Sequence, residues 1–220
     1  MKKSKLIDHT YLKAFATESD IKRLCQEAID NDFWSVCINP TWIEMAKKQL
    51  AGSDVKICTV IGFPLGANQT DVKAFETEMA IKSGADEIDM VMNIGAAKSG
   101  RWDIVLQDIK AVVSAANGTL VKVILENCYL SEEEMRRACE VVVAAGADFV
   151  KTSTGFGDYG ARFEDVEIMK SVVGDKAMVK AAGGVRTPAD LDRMIELGVN
   201  RIGTSSGTAL LKGEESESDY

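Results

Sequence analysis

The sequence predicts a single-domain α/β protein, a (β/α)8 TIM barrel, and three observations carry that expectation. Short apolar runs alternate with amphipathic ones along the chain, and eight of the apolar runs read as strands. Most are apolar on both faces, as strands are when helices cover a parallel sheet. Polar residues gather at the carboxyl ends of several runs, where such barrels keep their functional groups. The 220 residues lie at the small end of the range for this fold. A doubly wound open sheet is the alternative, since periodicity does not fix topology.

The strands are expected at 6–12, 34–40, 55–64, 87–95, 120–128, 148–155, 177–184 and 200–206. Helical segments are expected at 17–30, 41–50, 70–83, 101–116, 131–145, 162–173 and 187–197. Thr17 precedes the first helix, Ser131 with Glu134 makes a capping-box pattern, and Thr187 stands before Pro188 at a first helical position. The joints SGADEIDM, AAGADFVK and ELGVNRIG each place glycine just past a helix, where a left-handed residue is cheap. No linker divides 1–212, which is taken as one domain. The tail 213–220 is polar, acidic and without periodicity. Its terminal Tyr220 is a tethered phenol that could act over the barrel mouth, or a chain end with no role.

The chain is 46% hydrophobic and 27% charged, enough for a full core. A net charge of −8 argues against nucleic acid, and it means that an anionic substrate needs a local positive site. No run is long enough to span a membrane. Five cysteines without C-x-x-C spacing fit a reducing cytoplasm. With His9 as the one histidine, a zinc site built from several histidines is excluded and no metal is expected. The oligomeric state is left open, a homodimer being one expectation.

Two strands end in a lysine followed by small residues: DFVKTSTG places Lys151 and MVKAAGG places Lys180. A lysine within an apolar run costs free energy and needs a reason. Alternation puts Phe149, Lys151 and Ser153 on one face, and Met178, Lys180 and Ala182 on another. Asp8 and Thr10, Cys37 and Asn39, Asp89 and Asn93, and Glu126 and Asn127 fall at the ends of strands one, two, four and five. Either lysine alone could snorkel to solvent, as Lys56 and Lys122 are expected to do from strand starts at the other end of the barrel. Asp89 alone could be a structural carboxylate. Together, two neighbouring lysines in a partly desolvated site favour a neutral amine, which attacks carbonyls, with Asp89 moving protons.

Glycine-rich loops follow strands six, seven and eight: Gly155 with Gly157, Gly183-Gly184-Val185-Arg186, and Gly203-Thr204-Ser205-Ser206. Loops in these positions commonly bind phosphate through bare backbone N–H groups. Any one of the glycines could merely turn the chain.

The motifs IDHTYL, CTVIGFPLG, EIDMVMNIG, VKVILE, FVKTSTGF, VKAAGGVR and IGTSSG, in order over nearly the whole chain, resemble those of the deoxyribose-phosphate aldolase family. These are class I aldolases without metal or organic cofactor. The resemblance implies reversible cleavage of 2-deoxy-D-ribose 5-phosphate to D-glyceraldehyde 3-phosphate and acetaldehyde, in deoxyribose catabolism. It implies Lys151 as the Schiff-base lysine, Lys180 as its perturbing neighbour and Asp89 as the acid/base residue. It assigns Asp8, Thr10, Cys37 and Thr154 to the substrate pocket, and Gly155, Gly183, Gly184, Arg186, Gly203, Ser205 and Ser206 to the phosphate site. Some relatives carry a lysine near the phosphate where this chain has Phe156, which bears on phosphate selectivity. Other Schiff-base aldolases or transaldolases, an isomerase using Asp89 and Glu126, and a silent sugar-phosphate binder remain as alternatives.

Overall fold

The computed structural model describes residues 2–215; Tyr220 and the role considered for it lie outside them. Eight parallel strands close into a barrel in chain order. They are β1 (Ile7–Tyr11), β2 (Ser35–Ile38), β3 (Lys56–Ile61), β4 (Glu87–Val91), β5 (Leu120–Ile124), β6 (Phe149–Lys151), β7 (Met178–Ala182) and β8 (Arg201–Thr204). β8 pairs with β1, Asp8 opposite Gly203, so the open-sheet alternative is excluded.

The helices are α1 (Glu18–Asp30), α2 (Ile43–Gln49), α3 (Thr70–Ser83), α4 (Ile94–Lys98), α5 (Trp102–Ala116), α6 (Glu132–Ala145), α7 (Phe163–Val173), α8 (Pro188–Glu196) and α9 (Gly207–Lys212). Three begin with reciprocal capping boxes: Thr17 with Asp20, Ser131 with Glu134, and Thr187 with Asp190. The joint glycines Gly84, Gly146 and Gly198 have φ of 117°, 80° and 84°, conformations that cost a side chain energy.

All eight expected strands outrun the observed ones, and two of them run up to helices that were not expected. The run 87–95 leaves the sheet at Val91, because the Asn93 side chain accepts the Ala96 N–H at 3.0 Å and starts α4. The run 200–206 ends at Thr204, and α9 follows. Both added helices are too short to show a helical period in the sequence.

Packing divides into two regions of opposite chemistry. Outward residues such as Ile57, Ile88, Val123, Val150 and Ile202 join the helices in one large apolar cluster. Inside the barrel, Leu12, Cys37, Cys58 and Val60 form a small separate apolar cluster with Phe63 against it, and the Phe149 ring lies under Lys122 and Arg201. The rest of the interior is largely polar, whereas branched aliphatic side chains usually fill such barrels. Lys56 heads β3 and is exposed, as expected. Lys122 corrects the expectation. It is the third residue of β5, it points inward, and it is fully buried rather than snorkelling.

A second buried lysine braces the face where the strands end. Lys73 of α3 gives hydrogen bonds to Asp108 of α5 at 2.6 Å and to the carbonyl of Val91 at 2.9 Å. Thr70 donates to the other Asp108 oxygen. Gly62 is bare because a Cβ there would lie 2.8 Å from Lys73 Cε. The ends of β3 and β4 are thus fixed from outside. Lys73→Met leaves the Asp108 carboxylate buried without its cation and should cost about 3–5 kcal/mol. Urea unfolding of Lys73→Met should show that loss, and the added change Asp108→Leu should recover much of it.

Candidate active site

Asp89 lies at the centre of the barrel, third residue of β4 and fully buried. One carboxylate oxygen, Oδ2, accepts from Lys151 Nζ at 2.7 Å and from Lys180 Nζ at 2.8 Å. The other, Oδ1, accepts from Lys122 Nζ at 2.9 Å and from the Cys58 thiol at 3.1 Å. Strand register makes this possible. Asp89 faces Lys122 across β4–β5, and Lys151 faces Lys180 across β6–β7.

The network continues toward the amino-terminal end of the barrel. Lys180 reaches Asp8 Oδ2 at 2.5 Å, and Arg201 clamps Asp8 Oδ1 at 2.6 Å and Glu87 at 2.8 Å. Lys122 also donates to Glu87 at 2.6 Å, Trp34 donates its indole N–H to Glu87, and Ser35 donates to Asp8. Four cationic side chains (Lys122, Lys151, Lys180, Arg201) therefore share three carboxylates (Asp8, Glu87, Asp89).

The protonation states follow from the competition between burial and charge. Burial pushes the Asp89 carboxyl up, but Lys122, Lys151 and Lys180 outweigh it and hold the group well below the usual carboxylate range. Asp8 is likewise held low by Lys180 and Arg201 against its burial. Burial would strip the proton from Lys180 and Lys122. Asp8 and Asp89 overcome it at Lys180, and Asp89 foremost at Lys122, so both stay above the ordinary lysine range. With every group charged the cluster carries one surplus positive charge, and it balances when one ammonium sheds its proton. Lys151 has one carboxylate contact, whereas Lys122 and Lys180 each bridge more than one.

The remaining expected substrate residues surround this centre. Thr10 turns its hydroxyl onto the carbonyl of Asp8 at 2.8 Å. Cys37 pairs in register with Cys58, whose polar neighbourhood is the main reason the Cys37 thiol is held low. Thr154 gives its N–H and its hydroxyl to Glu126. Asn39 and Asn93 serve the backbone instead, bonding the Leu12 carbonyl and capping α4.

The glycine loops are brought together only in part. Gly155, Gly183, Gly184 and Arg186 line one cavity of about 350 Å³, together with Gly157, Tyr159 and Arg162. Its two loops interlock through the backbone: Ala161 N–H bonds to the carbonyls of Ala182 and Gly183. A Cβ on Gly184 would come within 2.7 Å of the Ala161 carbonyl oxygen, so glycine is required there. Gly203 lies within β8, facing Asp8, and Ser205 lines a different cleft of about 240 Å³, beside Arg23 and Glu27 of α1. Ser206 gives its N–H to Thr204 Oγ1. Phe156 is a further correction. Its ring packs edge-on against Phe63, with centroids 5.4 Å apart, and lines an apolar pocket with Pro64, Leu65 and Ile94 rather than the glycine cavity.

Sequence reasoning missed Lys122, Glu87, Arg201 and Cys58 as parts of the site. Counting alternate residues back from Asp89 gives Glu87, and back from Lys180 gives Met178 rather than an ion, so only part of the set was open to that signal. Among the described residues, Cys37, Cys58 and Asp89 form a group whose ligand atoms lie within 4.8 Å of one another. The Asp89 oxygens already serve three ammonium groups, which a metal cation would have to displace.

Comparison with known proteins gives the family. The model for DeoC/LacD family aldolases matches residues 4–213. The deoxyribose-phosphate aldolase of Streptococcus sanguinis is 59% identical over 220 residues, covering both chains in full. That of Carboxydothermus hydrogenoformans is 57% identical, over 99% of this chain and 97% of its own. A solved structure of the deoxyribose phosphate aldolase from Aeropyrum pernix, described as tetrameric, superposes with a TM-score of 0.89 at 32% identity, covering 96% of this chain and 89% of that one. A family match over residues 4–213, with relatives 59% and 57% identical along nearly the whole chain, places this protein in the DeoC/LacD family of aldolases.

Proposed function

We propose that this chain reversibly cleaves 2-deoxy-D-ribose 5-phosphate to D-glyceraldehyde 3-phosphate and acetaldehyde through a Schiff base on Lys151. The observation that carries the reading is Lys151 Nζ, 2.7 Å from Asp89 on an oxygen it shares with Lys180. The names of the similar proteins supply the substrate.

The steps follow from the charges. Lys151 attacks C1 of the open-chain sugar as the free amine. A proton passes to the C1 oxygen, water leaves, and the iminium becomes an electron sink. A base takes the C3 hydroxyl proton, the C2–C3 bond breaks, and its electron pair forms the enamine. Glyceraldehyde 3-phosphate departs; protonation at C2 and hydrolysis release acetaldehyde. Asp89, ionised and adjacent to both lysines, relays these protons. The phosphate would lie in the glycine cavity near Arg162 and Arg186, where remote binding holds the reacting carbons in place. An isomerase using Asp89 and Glu126 as bases fits less well, because Glu126 is engaged by Thr154 and Asp89 by three ammonium groups.

In the same reading the protein works in deoxyribose catabolism in a reducing cytoplasm, in keeping with five free cysteines. No helix among the described residues is long and apolar enough to cross a membrane. Self-association is part of the reading too: Val72, Phe75 and Met79 make an exposed apolar stripe on α3, and the Aeropyrum pernix protein is described as tetrameric.

Acetaldehyde with borohydride should add a two-carbon group to the peptide carrying Lys151, read by mass spectrometry. Adducts confined to surface lysines such as Lys47 and Lys48 would sink the assignment.

Lys180→Met removes one of the two positive charges on Asp89 Oδ2 and leaves the nucleophile in place. Lys151 loses the neighbouring cation that shares its carboxylate oxygen, and kcat should fall by roughly 10²–10⁴. The pH–rate profile should move to higher pH; an unmoved profile with normal kcat would separate the two lysines functionally.

Arg186→Met should raise KM for the phosphorylated sugar by about tenfold or more, from loss of a charge-assisted contact, and leave free deoxyribose nearly unchanged. Equal effects on both sugars would move the phosphate elsewhere.

A further inference from the structure

Glu126 stands just past the end of β5 with φ of 57°, in the left-handed region. Among the described residues, two other non-glycine residues share that region, Asp32 and Asn117, and both are exposed and of types that tolerate it. Glutamate has no such tolerance, and Glu126 is 2% exposed. A buried side chain stays in that conformation only where its surroundings hold it there.

Those surroundings are the loop that leaves β6. Glu126 Oε1 accepts the Thr154 N–H at 3.1 Å, and Oε2 accepts the Thr154 hydroxyl. The same hydroxyl oxygen accepts the Phe156 N–H at 3.0 Å. One carboxylate thus holds two backbone N–H groups of the loop, one directly and one through Thr154. Gly157 passes close over the same segment: a Cβ there would lie 2.5 Å from Cys128 Sγ and 3.2 Å from Glu126 Cδ. Among the described residues, no backbone–backbone hydrogen bond involves 153–160. The loop takes its shape from these contacts and from Tyr159, whose hydroxyl donates to the Asn127 carbonyl at 3.3 Å.

The loop has chemistry at both ends. It starts from Lys151 and runs on through Gly155, Gly157, Tyr159 and Arg162, which line the glycine cavity. Burial pushes the Glu126 carboxyl up, while the two Thr154 bonds and the nearby Lys151 charge oppose that push. Both carboxylate oxygens are taken by Thr154, so the group serves the loop rather than the reacting carbons.

We propose that Glu126 is a positioning residue, its carboxylate holding the loop after β6 in the shape that aligns Lys151 with the phosphate cavity. The inference rests on the reading of the glycine cavity as the phosphate site. The substrate would be bound at C1 by one end of the loop and at its phosphate by the other, so a shift of either end misplaces the carbons between them. Glutamine at this position has nearly the same size, but its NH2 group cannot accept from Thr154.

The test is the ratio of kcat/KM for 2-deoxyribose 5-phosphate to that for free deoxyribose, with timed acetaldehyde trapping on Lys151 as a second measurement. Glu126→Gln should lower the ratio about 10–100-fold, chiefly through KM for the phosphorylated sugar. Thr154→Val keeps the N–H and loses the hydroxyl, and should lower the ratio in the same sense; Thr154→Ser should recover most of it. The double change Glu126→Gln with Thr154→Val should be little worse than the more damaging single one, because both break one linkage. The Thr154 pair reads the same ratio if Glu126→Gln does not fold. An equal fall for both sugars overturns the proposal, since a residue needed only for folding does not distinguish them. Loss of trapping in Glu126→Gln with the ratio unchanged also overturns it, by moving Glu126 into the covalent chemistry. A ratio unmoved by Glu126→Gln but lowered by Arg186→Met overturns the anchor and keeps the cavity. A ratio unmoved by both removes the phosphate reading, and the anchor with it.

Discussion

The carboxylate of Asp89, held by three ammonium groups, is the interaction on which the rest of the molecule depends. Charged groups moved out of water are tolerated only when they are paired and hydrogen-bonded. Here the pairing of Asp8 exists only in the closed barrel. Asp8 enters on β1, while its cationic partners Lys180 and Arg201 come from β7 and β8. An unclosed sheet would leave the two ends of the network uncompensated. Closure of the barrel and completion of the site are therefore one event.

Such an interior is a poor source of stability. Well-packed apolar residues in place of a buried ion cluster are often neutral or stabilising. The stability has to come from the outer apolar layer, where strands and helices pack, and from braces such as Lys73 with Asp108. What the charged axis supplies is unequal treatment of chemically similar groups. Lys122 and Lys180 are locked as cations by several carboxylate contacts; Lys151 is held by one. Three lysines on one carboxylate thereby divide into two held by several carboxylates and one, Lys151, held by a single carboxylate, the one proposed as nucleophile.

The sequence made the barrel legible because its signals are local and repeated: capping boxes at Thr17, Ser131 and Thr187, and a left-handed glycine at each of three helix–strand joints. Lys151, Lys180 and Asp89 could be read because each interrupts an apolar strand near its carboxyl end. Lys122 was misread because position along one strand does not tell which neighbour stands opposite; the partner Asp89 lies 33 residues away. Phe156 was misplaced for a related reason. Its loop position is set by contact with Phe63, from the loop after β3, and no spacing encodes that. The α4 helix escaped notice because five residues carry no period, though Asn93 offered a cap signal.

The two halves of the proposed substrate meet protein of different character. The carbonyl end meets strand residues whose side chains are fixed by register and by mutual charge. The proposed phosphate end would meet loop backbone, in a cavity where glycines with positive φ let N–H groups approach an anion. With a net charge of −8, the protein as a whole repels a phosphate dianion. Arg162 and Arg186 supply the local exception, on loops that begin at the ends of the same strands that carry Lys151 and Lys180. In the proposed reading, binding at the loops would be transmitted to the reacting carbons through two short strands, and the distance between phosphate and Lys151 would be set by covalent structure rather than by side-chain reach.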